Sequence, residues 1–143
     1  MKKLSILLLS ALALGITTIS CTKDDAKPSI VAKWTYDTYT YTKAGTTTPA
    51  APVNDASCTV KNYLDIRNAN VVELQTIDNT DTANPCAVTK LNGTYTNQNS
   101  VLHIVVNGQT ADYPIVSITS NKLTIKSVNP NDTTEYLTIT LTK

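Results

Sequence analysis

The chain has 143 residues, with 12 Lys or Arg against 11 Asp or Glu and a formal charge of +1. Near-neutrality without a clustered basic face excludes an electrostatic nucleic-acid binder, and the length allows one domain with one core. Threonine fills about one position in six and Phe is absent; branched side chains and tyrosines suit a pleated, half-buried surface, so the composition favours strands.

Met1-Lys2-Lys3 is a basic start, followed by a nearly continuous apolar stretch from Leu4 to Ile16. That stretch is too short to span a bilayer comfortably as a permanent helix, so residues 1–20 are read as a signal peptide. Thr18-Ile19-Ser20-Cys21 resembles a lipobox, in which a small residue precedes a cysteine that is diacylated before cleavage. Cys21 is therefore expected to carry lipid and hold the protein to a membrane, since two acyl chains make a stable anchor. The alternative is an ordinary secretory signal with a structural cysteine nearby. The cysteine count favours the lipid: three is odd, and assigning Cys21 to the anchor leaves the pair Cys58 and Cys86. Residues 21–29 form a short tether. Within it Lys23-Asp24-Asp25 resembles the surface-export signal of Bacteroidota lipoproteins, which implies an outer-membrane lipoprotein facing the cell exterior, with the periplasmic face as the alternative. Solvated tether charges are the plain reading of the same residues.

From Ile30 to Lys143 the apolar pattern has period two, and eight strands are predicted. The first is Ile30 to Lys43, with Ala32, Trp34, Tyr36, Thr38 and Thr40 on one face. The second is Thr59 to Arg67, where Val60, Asn62, Leu64 and Ile66 alternate with Lys61, Tyr63 and Asp65. Asn70 to Ile77, Val88 to Asn97, Val101 to Asn107, Thr110 to Thr119 and Lys122 to Val128 follow. The last is Thr133 to Thr142, with Leu137, Ile139 and Leu141 opposed to Tyr136, Thr138 and Thr140. Asn68-Ala69, Gln98-Asn99, Asn107-Gly108 and Ser120-Asn121 are short turn signals. Pro114 cannot donate to a ladder and marks an edge, bulge or bend. With no crossover long enough for a helix, successive strands pair antiparallel. The expected fold is all-β: an eight-stranded up-and-down barrel, with a two-sheet sandwich as the alternative.

A meander sends its connections alternately to opposite ends. The long ones, Ala44 to Ser57 and Asp78 to Ala87, share an end with the Gly108 and Pro130 turns. The short turns and the tether share the other. The long loops thus point away from the membrane. Cys58 and Cys86 both fall at the loop-bearing end, where a disulfide between them suits an exported protein; two free buried thiols are the alternative. A cysteine-ligated metal is weaker, since His103 is the only histidine and the cysteines have no close partner.

Ala32-Lys33-Trp34, Cys58 before strand two, Cys86 followed by Leu91-Asn92-Gly93-Thr94-Tyr95, Val101-Leu102-His103-Ile104 and Asn121-Lys122-Leu123-Thr124-Ile125 together resemble the lipocalin-like domain of Bacteroidota lipoproteins. The resemblance covers about Ile30 to Lys143 and implies a calyx-like barrel that binds a small apolar ligand. Trp34 then closes the barrel floor, or else contacts ligand. Tyr36, Tyr63, Tyr95, Tyr113 and Tyr136 are candidates to line a cavity, or are half-exposed strand tyrosines. Asp81-Thr82-Ala83 and Asp132-Thr133-Thr134 resemble the O-glycosylation motif of the same bacteria, which makes Thr82 and Thr133 candidate glycan sites.

Nothing in the sequence argues for catalysis. His103 sits mid-strand without a motif, no glycine-rich phosphate loop is present, and no cofactor is implied. Two functions remain in competition: an anchored module that holds a small apolar or amphipathic molecule, and a non-catalytic structural or accessory subunit of a cell-surface complex. Protease inhibition through the loops is a third class that no sequence feature supports.

Overall fold

The computed structural model describes residues 28–143 apart from Asn79 and Asp81. The expected signal peptide, the lipidation site Cys21 and residues 22–27 of the tether lie outside the described residues. The strands are β1 Ala32–Lys43, β2 Thr46–Thr47, β3 Ala51–Pro52, β4 Tyr63–Arg67, β5 Val71–Asp78, β6 Ala87–Gln98, β7 Val101–Val106, β8 Gln109–Ile118, β9 Lys122–Asn129 and β10 Asp132–Thr142. From β4 to β10 each strand pairs antiparallel with the next, and β10 returns to pair with β1 from Thr35↔Thr142 to Lys43↔Glu135. That last pairing closes the sheet and decides for the barrel over the sandwich.

Tight turns fix the meander. Asn99-Ser100 and Asn107-Gly108 place both central residues at positive φ, the geometry whose twist matches a two-residue hairpin. The Asn68 turn is shifted by one, with Ala69 and Asn70 at φ 62° and 60°. Gly93 on β6 is required by a close approach: a Cβ there would stand 2.2 Å from the Val105 carbonyl oxygen and 2.7 Å from Val106 Cγ2.

The floor of the barrel is solid. Trp34, Leu64, Ile66, Val72, Leu102, Leu123, Ile125 and Leu141 are each at most 1% exposed and form one cluster with Tyr95 and Ile104. Each fully buried aliphatic side chain contributes about 1.5–3 kcal/mol by area, so this end carries most of the hydrophobic stabilisation. Trp34 sits at its centre. Its Nε1–H donates to the Ile30 carbonyl oxygen at 2.8 Å, which satisfies the one polar atom that burial would otherwise strand. Lys143 Nζ lies 4.5 Å from the centre of the Trp34 ring, a cation over an aromatic face. The floor-closing reading of Trp34 agrees with this environment.

Two expectations are corrected. The second long strand begins at Tyr63, not Thr59. Residues 59–62 leave the ladder because side-chain amides take over the backbone partners there. Asn62 Oδ1 accepts the Ile77 N–H at 2.7 Å, and Asn54 Oδ1 accepts the Asn62 N–H at 2.7 Å. Gln75 Nε2 donates to the Lys61 carbonyl at 2.9 Å, while Asn54 Nδ2 donates to the Tyr36 carbonyl. Val60, expected inside, is 40% exposed. The second correction is in β1. A register shift between Tyr36 and Thr38 inserts Asp37 as an extra residue, so the inward face runs Trp34, Tyr36, Tyr39, Tyr41. Thr38 and Thr40 turn outward instead. Beyond this bulge, β1 pairs on one side with β10 and on the other with β2 and β3, which fold back from the first long connection.

Candidate functional site

Above the floor the barrel interior changes character. The inward positions become Tyr36, Tyr39 and Tyr41 on β1, Tyr113 on β8, Ser127 and Asn129 on β9, and Glu135, Leu137 and Ile139 on β10. Three clefts open among them. One of about 180 Å³ is lined by Tyr36, Tyr39, Val53, Leu137 and Ile139. A second of about 340 Å³ is bounded by Tyr41, Ser127, Asn129, Glu135 and Leu137 among others; Leu137 belongs to both. The third, about 460 Å³, runs along the edges of β8 and β9 between Thr110–Pro114 and Ser127–Pro130. Sites for small organic ligands occupy roughly 300–1,000 Å³ and are largely apolar with a few placed polar groups; the second and third clefts fall in that range and the first, about 180 Å³, lies below it.

The third cleft has a local cause. Strands β8 and β9 pair only from Ile115↔Ile125 to Ile118↔Leu123. Pro114 brings no N–H to the ladder, and the register shift between Ile115 and Ser117 bends β8 at Val116, which is 54% exposed. Residues of both alternation phases therefore line the seam, as they do where two strand edges part.

The candidate tyrosines separate into three groups. Tyr36 and Tyr113 face the interior at the base of the mouth. Burial pushes both phenols above their ordinary range, and for Tyr36 the neighbouring Tyr113 adds to the shift. Both stay neutral at ordinary pH and act as apolar surfaces with a hydroxyl. Tyr95 is only 7% exposed and belongs to the packed core rather than a cavity. Tyr63 and Tyr136 point outward, contrary to the cavity-lining expectation, because each is in the opposite phase to its inward neighbour, Leu64 or Leu137. Lys33 Nζ lies 3.8 Å from the Tyr63 ring centre, and the Tyr63 hydroxyl donates to Glu73. Lys126 Nζ lies 4.2 Å from the Tyr136 ring centre. Tyr39 and Tyr41, not expected inside, enter the mouth through the β1 bulge. The signal was the shift of tyrosine spacing from even to odd positions after Tyr36.

At the rim, Glu135 brings a carboxylate to the inward face of β10. Glu135 accepts hydrogen bonds from the Tyr41 hydroxyl and, at 3.1 Å, from Asn129 Nδ2. Lys43 Nζ stands 3.8 Å away, with its side chain 62% exposed. The Tyr41 bond, then the Asn129 bond, hold the Glu135 carboxyl below the usual carboxylate range.

The loops at this end are tied down. Cys58 and Cys86 form a disulfide with Cα atoms 5.6 Å apart, joining segments 28 residues apart. In the chain-entropy model a loop of that length contributes about 3–4 kcal/mol. Thr82 is exposed in the loop before Cys86 and Thr133 is exposed at the start of β10 rather than in a loop, while Asp81 lies outside the described residues. His103 lies on the outer face of β7, its Nδ1 2.7 Å from Asp112 Oδ1 on β8. Among the described residues no group of three or more His, Cys, Asp or Glu could hold a metal ion.

Residues 30–125 match the model of a family described as the lipocalin-like domain. No curated protein matches the chain. Among solved structures, the chain is similar to the crystal structure of a lipocalin-like protein from Bacteroides uniformis ATCC 8492. The two share 10% identity and a TM-score of 0.50, over 76% of this chain and 94% of that one. At that identity the likeness speaks to the fold, and it agrees with the closed antiparallel barrel. With the family model spanning most of the domain, the chain belongs to the lipocalin-like domain family.

Proposed function

We propose that this protein is an anchored, non-catalytic binding module that holds a small apolar or amphipathic molecule at the mouth of its barrel. The observation that carries the reading is the division of the interior. The floor is filled, and the three clefts open at one end, the apolar one of about 180 Å³ against Tyr36, Tyr39, Leu137 and Ile139. Tyrosines suit such a role because they offer rigid apolar area with a polar tip. The test is native mass spectrometry of the protein purified from its own host. A retained small molecule, lost on denaturation and reduced in a Tyr39→Ser, Leu137→Ser double variant, supports the reading. The bare polypeptide mass in every preparation overturns it.

The anchoring belongs to the same proposal. Diacylated Cys21 would hold the domain at the outer membrane, with Lys23-Asp24-Asp25 directing it to the cell surface. The floor would then face the membrane and the mouth face away. Cys21→Ala is expected to move the protein from the membrane fraction to the soluble one; continued retention removes the lipid from the account. Glycans on Thr82 or Thr133 would decorate the rim and add mass that Thr→Ala variants lack.

The filled floor favours one other reading, an accessory subunit of a surface complex that uses the mouth loops as its contact. Crosslinking from those loops to one defined protein, in cells where no small molecule is retained, would select it.

A further inference from the structure

The irregular start of β10 places a carboxylate on the inward face of the mouth. Between Asp132 and Tyr136 the ladder to β9 shifts, and Glu135 arrives opposite Lys43 on the inward face, one step above Leu137. A carboxylate set against apolar surface is costly unless its charge is answered. Here it is answered by neutral donors and one exposed cation. Tyr41 and Asn129 supply neutral hydrogen bonds, while among the described residues the one cation paired with Glu135 is Lys43 at 3.8 Å, on a largely exposed side chain. Such an exposed pair is worth about 0–1 kcal/mol and is readily displaced. Asp132 is the other acid whose charge acts on Glu135, so the charges of Glu135, Asp132 and Lys43 together sum to minus one.

The aromatic surroundings are of the same sense. Tyrosine faces attract ammonium groups, and this chain uses the contact on its outer wall, Lys33 on Tyr63 and Lys126 on Tyr136. Among the described residues, the inward rings of Tyr36, Tyr39 and Tyr41 carry no such cation. Below them lies the apolar cleft against Leu137 and Ile139. Carboxylate, open tyrosine faces and apolar surface therefore follow one another down the mouth.

We propose that the mouth selects amphipathic organic cations, with an amine head set against Glu135 in the place of Lys43 and an apolar tail on Tyr36, Tyr39, Leu137 and Ile139. This rests on the mouth being a binding site and names the chemistry that site prefers. The test uses full-length protein in detergent, with N-phenyl-1-naphthylamine as a fluorescent reporter. Three competitors of equal tail length, n-octylammonium, n-octanol and n-octanoate, are titrated below their micellar concentrations at neutral pH. The ammonium is expected to bind about tenfold more tightly than the alcohol, the gain of one charge-assisted hydrogen bond, and the carboxylate most weakly. Glu135→Gln should erase the ranking, bringing the ammonium to the affinity of the alcohol. Lys43→Met, which removes the competing cation without touching the carboxylate, should sharpen it, so the proposal does not hang on one variant folding. Equal affinity for all three heads, or a preference for octanoate, overturns the cation selectivity and leaves the binding mouth standing. Failure of the reporter and of every competitor to bind overturns both.

Discussion

Floor and mouth of this barrel are built from the same strands and behave as different materials. At the floor, Leu102, Leu123 and Leu141 are 0% exposed around Trp34. Toward the mouth, β1 is shifted at Asp37 and β10 before Tyr136, while the β8 shift at Val116 lies lower, beside Ile125. The β1 and β10 shifts occur where a packed aliphatic row gives way to tyrosine, serine, asparagine or glutamate. Bulges bend strands and re-aim side chains, so a sheet that must stay closed below can open above without losing its ladder. Stability is thus concentrated at one end, and the end with room for a ligand is the less constrained.

Four outcomes would break or sharpen this contrast. The largest effect is expected at the floor. Trp34→Ala removes the central side chain, its bond to the Ile30 carbonyl and the ring beneath Lys143. A loss of about 3–5 kcal/mol follows for such a truncation, readable as a fall in the urea midpoint. A variant with near wild-type stability would mean that the floor is not where the fold is held.

Next is the staple at the mouth. Replacing Cys58 and Cys86 together by Ser should cost about 3–4 kcal/mol in the chain-entropy model, but with a different local signature. Hydrogen exchange should rise first in the loops beside Cys58 and Cys86 while the β7 and β9 amides stay protected. Uniform loosening of both ends would show that mouth and floor are one cooperative unit.

Tyr39→Ser should be milder. Tyr39 is already 36% exposed, and changes at such sites stay within about 1 kcal/mol. Ligand retention, by contrast, should fall. A large stability loss with retention intact would reverse the assignment of roles to the two ends.

The legibility of the two regions in the sequence differed for the same reason. Period two located Leu64, Ile66 and Leu141 correctly, because an undisturbed strand keeps its phase. The same rule already placed Tyr63 and Tyr136 outside, opposite Leu64 and Leu137; treating every strand tyrosine as a lining candidate ignored it. Tyr39 and Tyr41 were lost at the Asp37 bulge, since one inserted residue inverts all that follows. The retreat of β4 to Tyr63 depends on Asn54, Asn62 and Gln75 reaching across loops, contacts that no local pattern announces. Pro114 did mark the β8 bend in advance, though not the cleft beside it.

The smallest expected effect is in acid, and it bears on the mouth. Glu135, Asp132 and Asp78 are all held below their ordinary carboxyl values, by Tyr41 and Asn129, by Thr134 and by Thr80 respectively. A carboxyl more acidic in the folded state lends stability that is complete above its unfolded value, near 4.5 for Glu135. That stability drains as pH falls through the lower folded value. Glu73, held down chiefly by the Tyr63 hydroxyl, adds the same trend on the outer wall, so wild-type protein alone cannot separate the two. Comparison with Glu135→Gln can. The stability difference between the two proteins should be constant at neutral pH and shrink as pH drops below about 4.5, because protonated glutamate and glutamine then present similar neutral groups to Tyr41 and Asn129. Parallel stability curves down to the acid transition would show that the charge of Glu135 contributes nothing to holding the mouth, and the carboxylate would be left there for binding alone.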